Sequence, residues 1–166
     1  MKKIILMLAV LASVSYAQGA ASTDQGLYAG AGFGMMQTIK EGDAGLGLSL
    51  RAGKGLDSVL KGLGIQFELN RSFADPETRS GRDIDVTTFA TYATFDIDIP
   101  RSKVTLRPKI GLILPNLRDD INSRNLGFSS GFGMTYTLEQ NVRLYVDYTV
   151  LAELVNNYTV GFEVKF

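Results

Sequence analysis

The chain has 166 residues, of which 45% are hydrophobic and 20% charged, a length and balance that fit one folded domain with no room for a second. Lysine plus arginine and aspartate plus glutamate both number 17, so the basic surplus that binding a nucleic-acid backbone requires is missing, and no nucleic-acid partner is expected. The sequence contains neither cysteine nor histidine, which excludes disulfides, thiolate metal sites, Ser-His and Cys-His nucleophiles, nearly all zinc chemistry and the lipid-bearing cysteine of a lipoprotein. No catalytic, metal-binding or cofactor-binding residues are predicted.

The first residues read as an export signal. Lys2 and Lys3 form a positive start, Ile4 to Val14 an apolar run, and Ser15-Tyr16-Ala17 puts small residues at the two positions a signal peptidase reads, so cleavage is predicted between Ala17 and Gln18. The apolar run is too short for a membrane anchor, which needs about 20 residues. Residues 1–17 are therefore a signal peptide and 18–166 the mature domain, which loses two lysines and carries a net charge of −2 (15 basic against 17 acidic).

From there the chain alternates with period two, the mark of strands with two different faces. The first stretch puts Leu27, Ala29, Ala31, Phe33 and Met35 on one face, the second Leu46, Leu48, Leu50 and Ala52, and the third Leu63, Ile65, Phe67 and Leu69. The fourth, weaker, has Phe89, Thr91, Ala93, Phe95 and Ile97; the fifth has Val104, Leu106, Pro108, Ile110, Leu112 and Leu114. The sixth runs from Leu126 through Phe128, Phe132, Met134 and Tyr136 to Leu138, the seventh from Val142 through Leu144, Val146, Tyr148 and Val150 to Ala152, and the eighth takes Tyr158, Val160, Phe162, Val164 and Phe166. None of these positions carries a charge.

The opposite face is small or charged. It holds Gly30, Gly32, Gly34, Gly45, Gly47, Arg51, Gly64, Gln66, Glu68, Asn70, Tyr92, Asp96, Arg107, Lys109, Gly111, Gly131, Gly133, Arg143, Tyr145, Asp147, Gly161, Glu163 and Lys165. In a soluble lipocalin-like barrel the apolar face would point inward, and these glycines would be spent on the outside. If the apolar face instead meets lipid, small and charged side chains fill a narrow lumen, as eight strands require. The prediction is an all-β, eight-stranded antiparallel up-and-down transmembrane β-barrel, with an interior charge network of Arg51, Glu68, Arg107, Lys109, Arg143, Asp147 and Glu163.

The connections suit a two-sided membrane. With both termini periplasmic, the two long polar loops, 71–83 and 115–125, face outward and are candidates for contacting an extracellular ligand. The opposite turns are mostly shorter: Ile99 to Lys103 contains Pro100, Glu139-Gln140-Asn141 is tight, and Lys54 to Lys61 is long enough for a helical turn. Pro108 is the awkward residue, because it removes a ladder donor inside a strand.

The closing alternation Tyr158-Thr-Val160-Gly-Phe162-Glu-Val164-Lys-Phe166 resembles the terminal strand by which the barrel-assembly machinery recognises its substrates, and the eight stretches together resemble the small outer-membrane barrels typified by OmpX and the N-terminal domain of OmpA. The resemblance implies a Gram-negative cell envelope, a monomer set in outer-membrane lipid and lipopolysaccharide, and handling by that machinery. Unlike OmpA, the chain has no C-terminal peptidoglycan-binding domain, so a wall-tethering role is not expected.

Other motifs read as structure. Gly30-x-Gly32-x-Gly34 lacks the spacing and the strand-to-helix context of a dinucleotide fingerprint, and no Ser or Thr follows the lysine of Gly53-Lys54-Gly55. The loop arginines Arg79, Arg82, Arg118 and Arg124 suit phosphate contacts, but acidic neighbours such as Asp83, Asp119 and Asp120 balance them. A non-enzymatic structural or surface-interaction barrel is the leading function. A narrow, porin-like ion or small-solute channel, gated by the interior charges, is the alternative. A lipid-modifying enzyme of the same architecture is disfavoured because those activities use histidine with serine.

Overall fold

The computed structural model describes residues 26–39, 43–76, 85–118, 126–151 and 155–166; the predicted cleavage pair Ala17 and Gln18 lies outside them. The described residues form eight long strands: β1 Leu27–Thr38, β2 Gly45–Gly55, β3 Leu63–Ala74, β4 Asp85–Phe95, β6 Val104–Arg118, β7 Gly127–Thr137, β8 Val142–Leu151 and β9 Val155–Lys165. The two-residue β5, Ile97–Asp98, continues the line of β4 beside β6. Each strand pairs antiparallel with its chain neighbour, and β1 with β9 completes the ring.

The register sets the shape of the cylinder. Paired residues lead from Tyr28 through Gly53, Gln66, Tyr92, Gly111, Ser129, Leu151 and Val155 back to β1 at Thr38, ten residues beyond the start, a shear of 10. With about 3.3 Å per residue and about 4.8 Å between strands, this gives a tilt of about 40° and a backbone diameter of about 16 Å. That bore leaves room for side chains and little else.

The faces fall as the alternation requires. Apolar side chains stand on the outside: Phe128 is 72% exposed, and Phe33 and Ile110 are each 62% exposed. Polar side chains stand inside, with Gln66, Asn70 and Glu163 at 2% or less. This inside-out arrangement is the one a lipid solvent selects, because water would drive the same residues the other way.

Two segments read as loop belong to strands. Arg71 to Ala74 continues β3, with Arg71 opposite Thr87, and Pro115 to Arg118 continues β6, with Arg118 opposite Asp85. Polar side chains and a proline suggest a loop, but ladder pairing persists as long as a neighbouring strand runs alongside. At the other end, Leu56 accepts from both Val59 (2.8 Å) and Leu60 (3.1 Å), so the β2–β3 connection does contain a helical turn. It closes at Gly62, whose φ of 84° and close approach to the Asp96 carbonyl both need glycine.

Pro108 accounts for the gap in the ladder that β4 and β5 make with β6. β4 pairs with β6 up to Thr94–Lys109, and pairing resumes at Ile97–Leu106 in β5. The register is the same on both sides of the gap, so Pro108 falls opposite Phe95, where it has no N–H to give; on the other edge, the Asp96 N–H donates to the Gly62 carbonyl at 2.7 Å, in line with the β3–β4 register.

Candidate functional site: the filled lumen

The lumen is built in layers, each from inward positions of several strands. At its centre the charged residues form one connected array. Lys109 of β6 bridges Glu68 of β3 and Asp147 of β8, the latter at 2.9 Å. Asp147 also accepts from Arg51 of β2 at 2.9 Å, and Arg51 reaches on to Glu163 of β9. Glu163 is shared with Arg107 at 3.2 Å and with Arg143 at 2.8 Å. All seven residues of the predicted network thus lie in one chain of contacts, spanning five strands.

Asp96 is an eighth member that the predicted set lacks. Arg107 donates to its two oxygens from Nε (2.6 Å) and Nη2 (2.8 Å), a fork-on-carboxylate contact. The alternation already sets Asp96 on the inward face, and the common register of β4 and β5 against β6 puts it opposite Arg107. Counted together, four cations (Arg51, Arg107, Lys109, Arg143) meet four carboxylates (Glu68, Asp96, Asp147, Glu163), so the array is neutral as a whole.

Tyrosines line the array and give the cations a second kind of partner. The Arg51 guanidinium lies 3.3 Å from the centre of the Tyr145 ring, Arg107 4.6 Å from Tyr28, and the Lys109 ammonium 4.9 Å from Tyr92. Tyr28 donates to Gln66 at 2.6 Å, Gln66 donates to Glu68 at 2.6 Å, and the Tyr92 hydroxyl pairs with Ser129 at 2.8 Å. Glycines make room for these groups. A Cβ on Gly53 would strike the Tyr28 ring, one on Gly133 the Asp147 carboxylate, and one on Gly32 the Tyr145 hydroxyl.

Toward the end that carries the long connections, the polar filling gives way to an apolar layer. Met36, Val86, Ala90, Tyr92, Ile113, Leu151 and Val155 form one cluster, each 3% exposed or less. Between it and the charges, Asn157 donates to Asn70 at 3.3 Å. At the opposite end, where the described chain begins and ends, the lumen opens into a cavity of about 730 Å3 lined by Tyr28, Asp57, Asp96, Asp98, Arg143 and Lys165 among others. Of the closing strand, Tyr158, Val160 and Phe162 face outward, and Phe166 donates from its backbone to Leu27 at 2.8 Å, tying the two ends of the described chain together.

Solved structures share this architecture. Neisserial surface protein A aligns with a TM-score of 0.64 at 18% identity, covering 87% of this chain and 100% of that one. Ail, the attachment invasion locus protein of Yersinia pestis, solved with the heparin analogue sucrose octasulfate, gives 0.59 at 13% identity over 87% and 100%. OprG of Pseudomonas aeruginosa gives 0.60 at 12% over 87% and 98%. At these identities the likeness concerns the fold alone. No curated protein sequence matches the chain. Residues 6–166 match the family described as outer membrane protein beta-barrel domain, and with an inside-out closed barrel on the page, the chain belongs to that family of Gram-negative outer-membrane proteins.

Proposed function

We propose that the protein is a non-enzymatic barrel with a closed lumen that braces the outer membrane and meets its partners through the connections 75–84 and 119–126. The observation that carries this reading is the filled bore: Arg107, Tyr92, Tyr145, Gln66 and Glu163 are all under 2% exposed, and an apolar layer lies beyond them. An ion would have to part buried pairs and then cross a layer that offers it no ligand. Absence of histidine and cysteine leaves no strong general base or thiolate for acyl chemistry. The attachment role in Ail's name supports surface contact as something this architecture serves.

In this reading the signal peptide is cut between Ala17 and Gln18, and the barrel-assembly machinery takes up the strand carrying Tyr158, Val160, Phe162, Val164 and Phe166. The mature barrel then sits as a monomer among lipopolysaccharide, with its termini toward the periplasm. The competing reading is a narrow channel whose charge array rearranges to pass ions, and the cavity at one mouth is the observation in its favour. Planar-bilayer recording on the purified, refolded protein separates the two. The expected record shows no stepwise current; reproducible unitary steps would overturn the closed-lumen reading.

A further inference from the structure

The lumen is sealed at one end by the apolar layer and open at the other, where the cavity of about 730 Å3 remains. The walls of this vestibule differ in charge: three aspartates stand with Lys61 and Arg107 on one side, and two cations face them. Asp57 in the β2–β3 turn and Asp96 and Asp98 at the β4–β5 junction stand on one side; Arg143 of β8 and Lys165 of β9 stand on the other. In the closed ring of eight long strands, β3 and β4 lie three or four places from β8 and β9, which puts the two sets across the diameter from each other.

Not all of this charge is neutralised locally. Asp96 is taken by Arg107, while Asp57 accepts from the Gly62 N–H (2.7 Å) and Asp98 from the Thr105 hydroxyl (2.7 Å). In these contacts the donor is a neutral group for both. Lys61 stands exposed at the rim of that wall. On the far side, Arg143 gives one amino group to Glu163 at 2.8 Å, while its Nε is buried without a partner.

We infer that this vestibule binds a small zwitterion of about dipeptide length, its ammonium toward Asp57 and Asp98 and its carboxylate toward Arg143 and Lys165. The span fits. Of a backbone diameter of about 16 Å, an arginine and an aspartate reaching inward leave about 7 Å, and two extended residues cover about 7 Å. A ligand with a single charge is drawn to one wall and repelled by the other, whereas a dipole gains at both. Gly26, Gly55, Gly62 and Gly64 also line it, and their lack of side chains helps keep the space open.

The test uses the mature protein in lipid nanodiscs, titrated with alanyl-alanine and two singly charged analogues, alanyl-alanine amide and N-acetyl-alanyl-alanine. Amide NMR shifts at Gly64 and Thr94 report on the cavity. The free dipeptide is expected to shift them saturably, and each analogue to bind on the order of tenfold more weakly, the loss of one charge contact. In Arg143→Gln, which leaves Lys165 on that wall, the preference for the dipeptide over its amide should shrink. In Asp98→Asn, on the opposite wall, the dipeptide and its N-acetyl form should converge instead, so the inference stays testable if one variant fails to fold. Absence of saturable shifts, or equal binding of all three ligands by the wild type, would overturn it.

Discussion

Glu163 is the residue on which the lumen array converges, and Glu163→Gln isolates the worth of its charge. The side chain is 0% exposed and serves three guanidinium groups, those of Arg51, Arg107 and Arg143. Glutamine keeps the shape but removes the negative charge, leaving four cations facing three carboxylates in a closed space. Breaking a buried pair by neutralising one partner costs about 3 to 5 kcal/mol, because the other charge stays buried without compensation. Arg143, 14% exposed in its side chain, can turn toward the vestibule, so the lower half of that range is expected. The assay is urea unfolding of the barrel in lipid vesicles, with the folded fraction read from unboiled gel mobility. A loss below about 1 kcal/mol, the scale of an exposed pair, would show that the array is hydrated and would refute its treatment as a buried network.

Two further substitutions probe the wall. Gly161→Ala places a Cβ 2.8 Å from the Tyr145 ring and 2.5 Å from the Gly32 backbone, an overpacking expected to cost about 1 to 3 kcal/mol. Gly55→Ala, whose nearest neighbour would be 3.6 Å away, should leave the unfolding midpoint unchanged. On the outer face, Val146→Arg puts a cation midway along β8 against lipid and should cost about 2 to 4 kcal/mol, whereas Leu138→Arg, just past the end of β7, should cost about 1 kcal/mol or less. Equal costs at the two sites in vesicle unfolding would mean that the band of lipid contact is misplaced.

What the sequence made legible follows from how sharply a bilayer separates the two faces of a strand. Wherever a charge or glycine alternates with a large apolar residue, as in Arg51 beside Leu50 or Arg107 beside Leu106, the assignment is unambiguous, and these positions carry the lumen array. The apolar layer was hidden for the converse reason. Met36 follows Met35, Leu151 follows Val150, and Ile113 lies between Leu112 and Leu114, so both faces look alike and the period is lost where the lumen itself turns apolar. Nor does a single chain reveal which inward charges meet. Arg51 and Asp147 are 96 positions apart and come together only through the shear of the closed barrel. Pro108 looked awkward alone, and its missing N–H accounts for the gap in the ladder between β4 and β5.

Why a lumen should be filled with ion pairs at all is not answered by their strength, since buried pairs are often no more stabilising than apolar groups of the same volume. The answer lies in register. A strand with two apolar faces can slip by one residue without penalty, and a slip by one exchanges every inward side chain for an outward one. Here a slip of β2, β6 or β8 would turn Arg51, Arg107 with Lys109, or Arg143 with Asp147 toward lipid. Each arginine or lysine at mid-bilayer costs about 2 to 4 kcal/mol, and its buried partner would be stranded at the same time. The array therefore opposes misregistered barrels more than it supports the correct one. The apolar layer can afford its ambiguity because it lies toward one end of strands whose register the charges have already fixed. The proposed closed bore rests on the same design, since groups that match one another in pairs leave little unspent charge to carry an ion through.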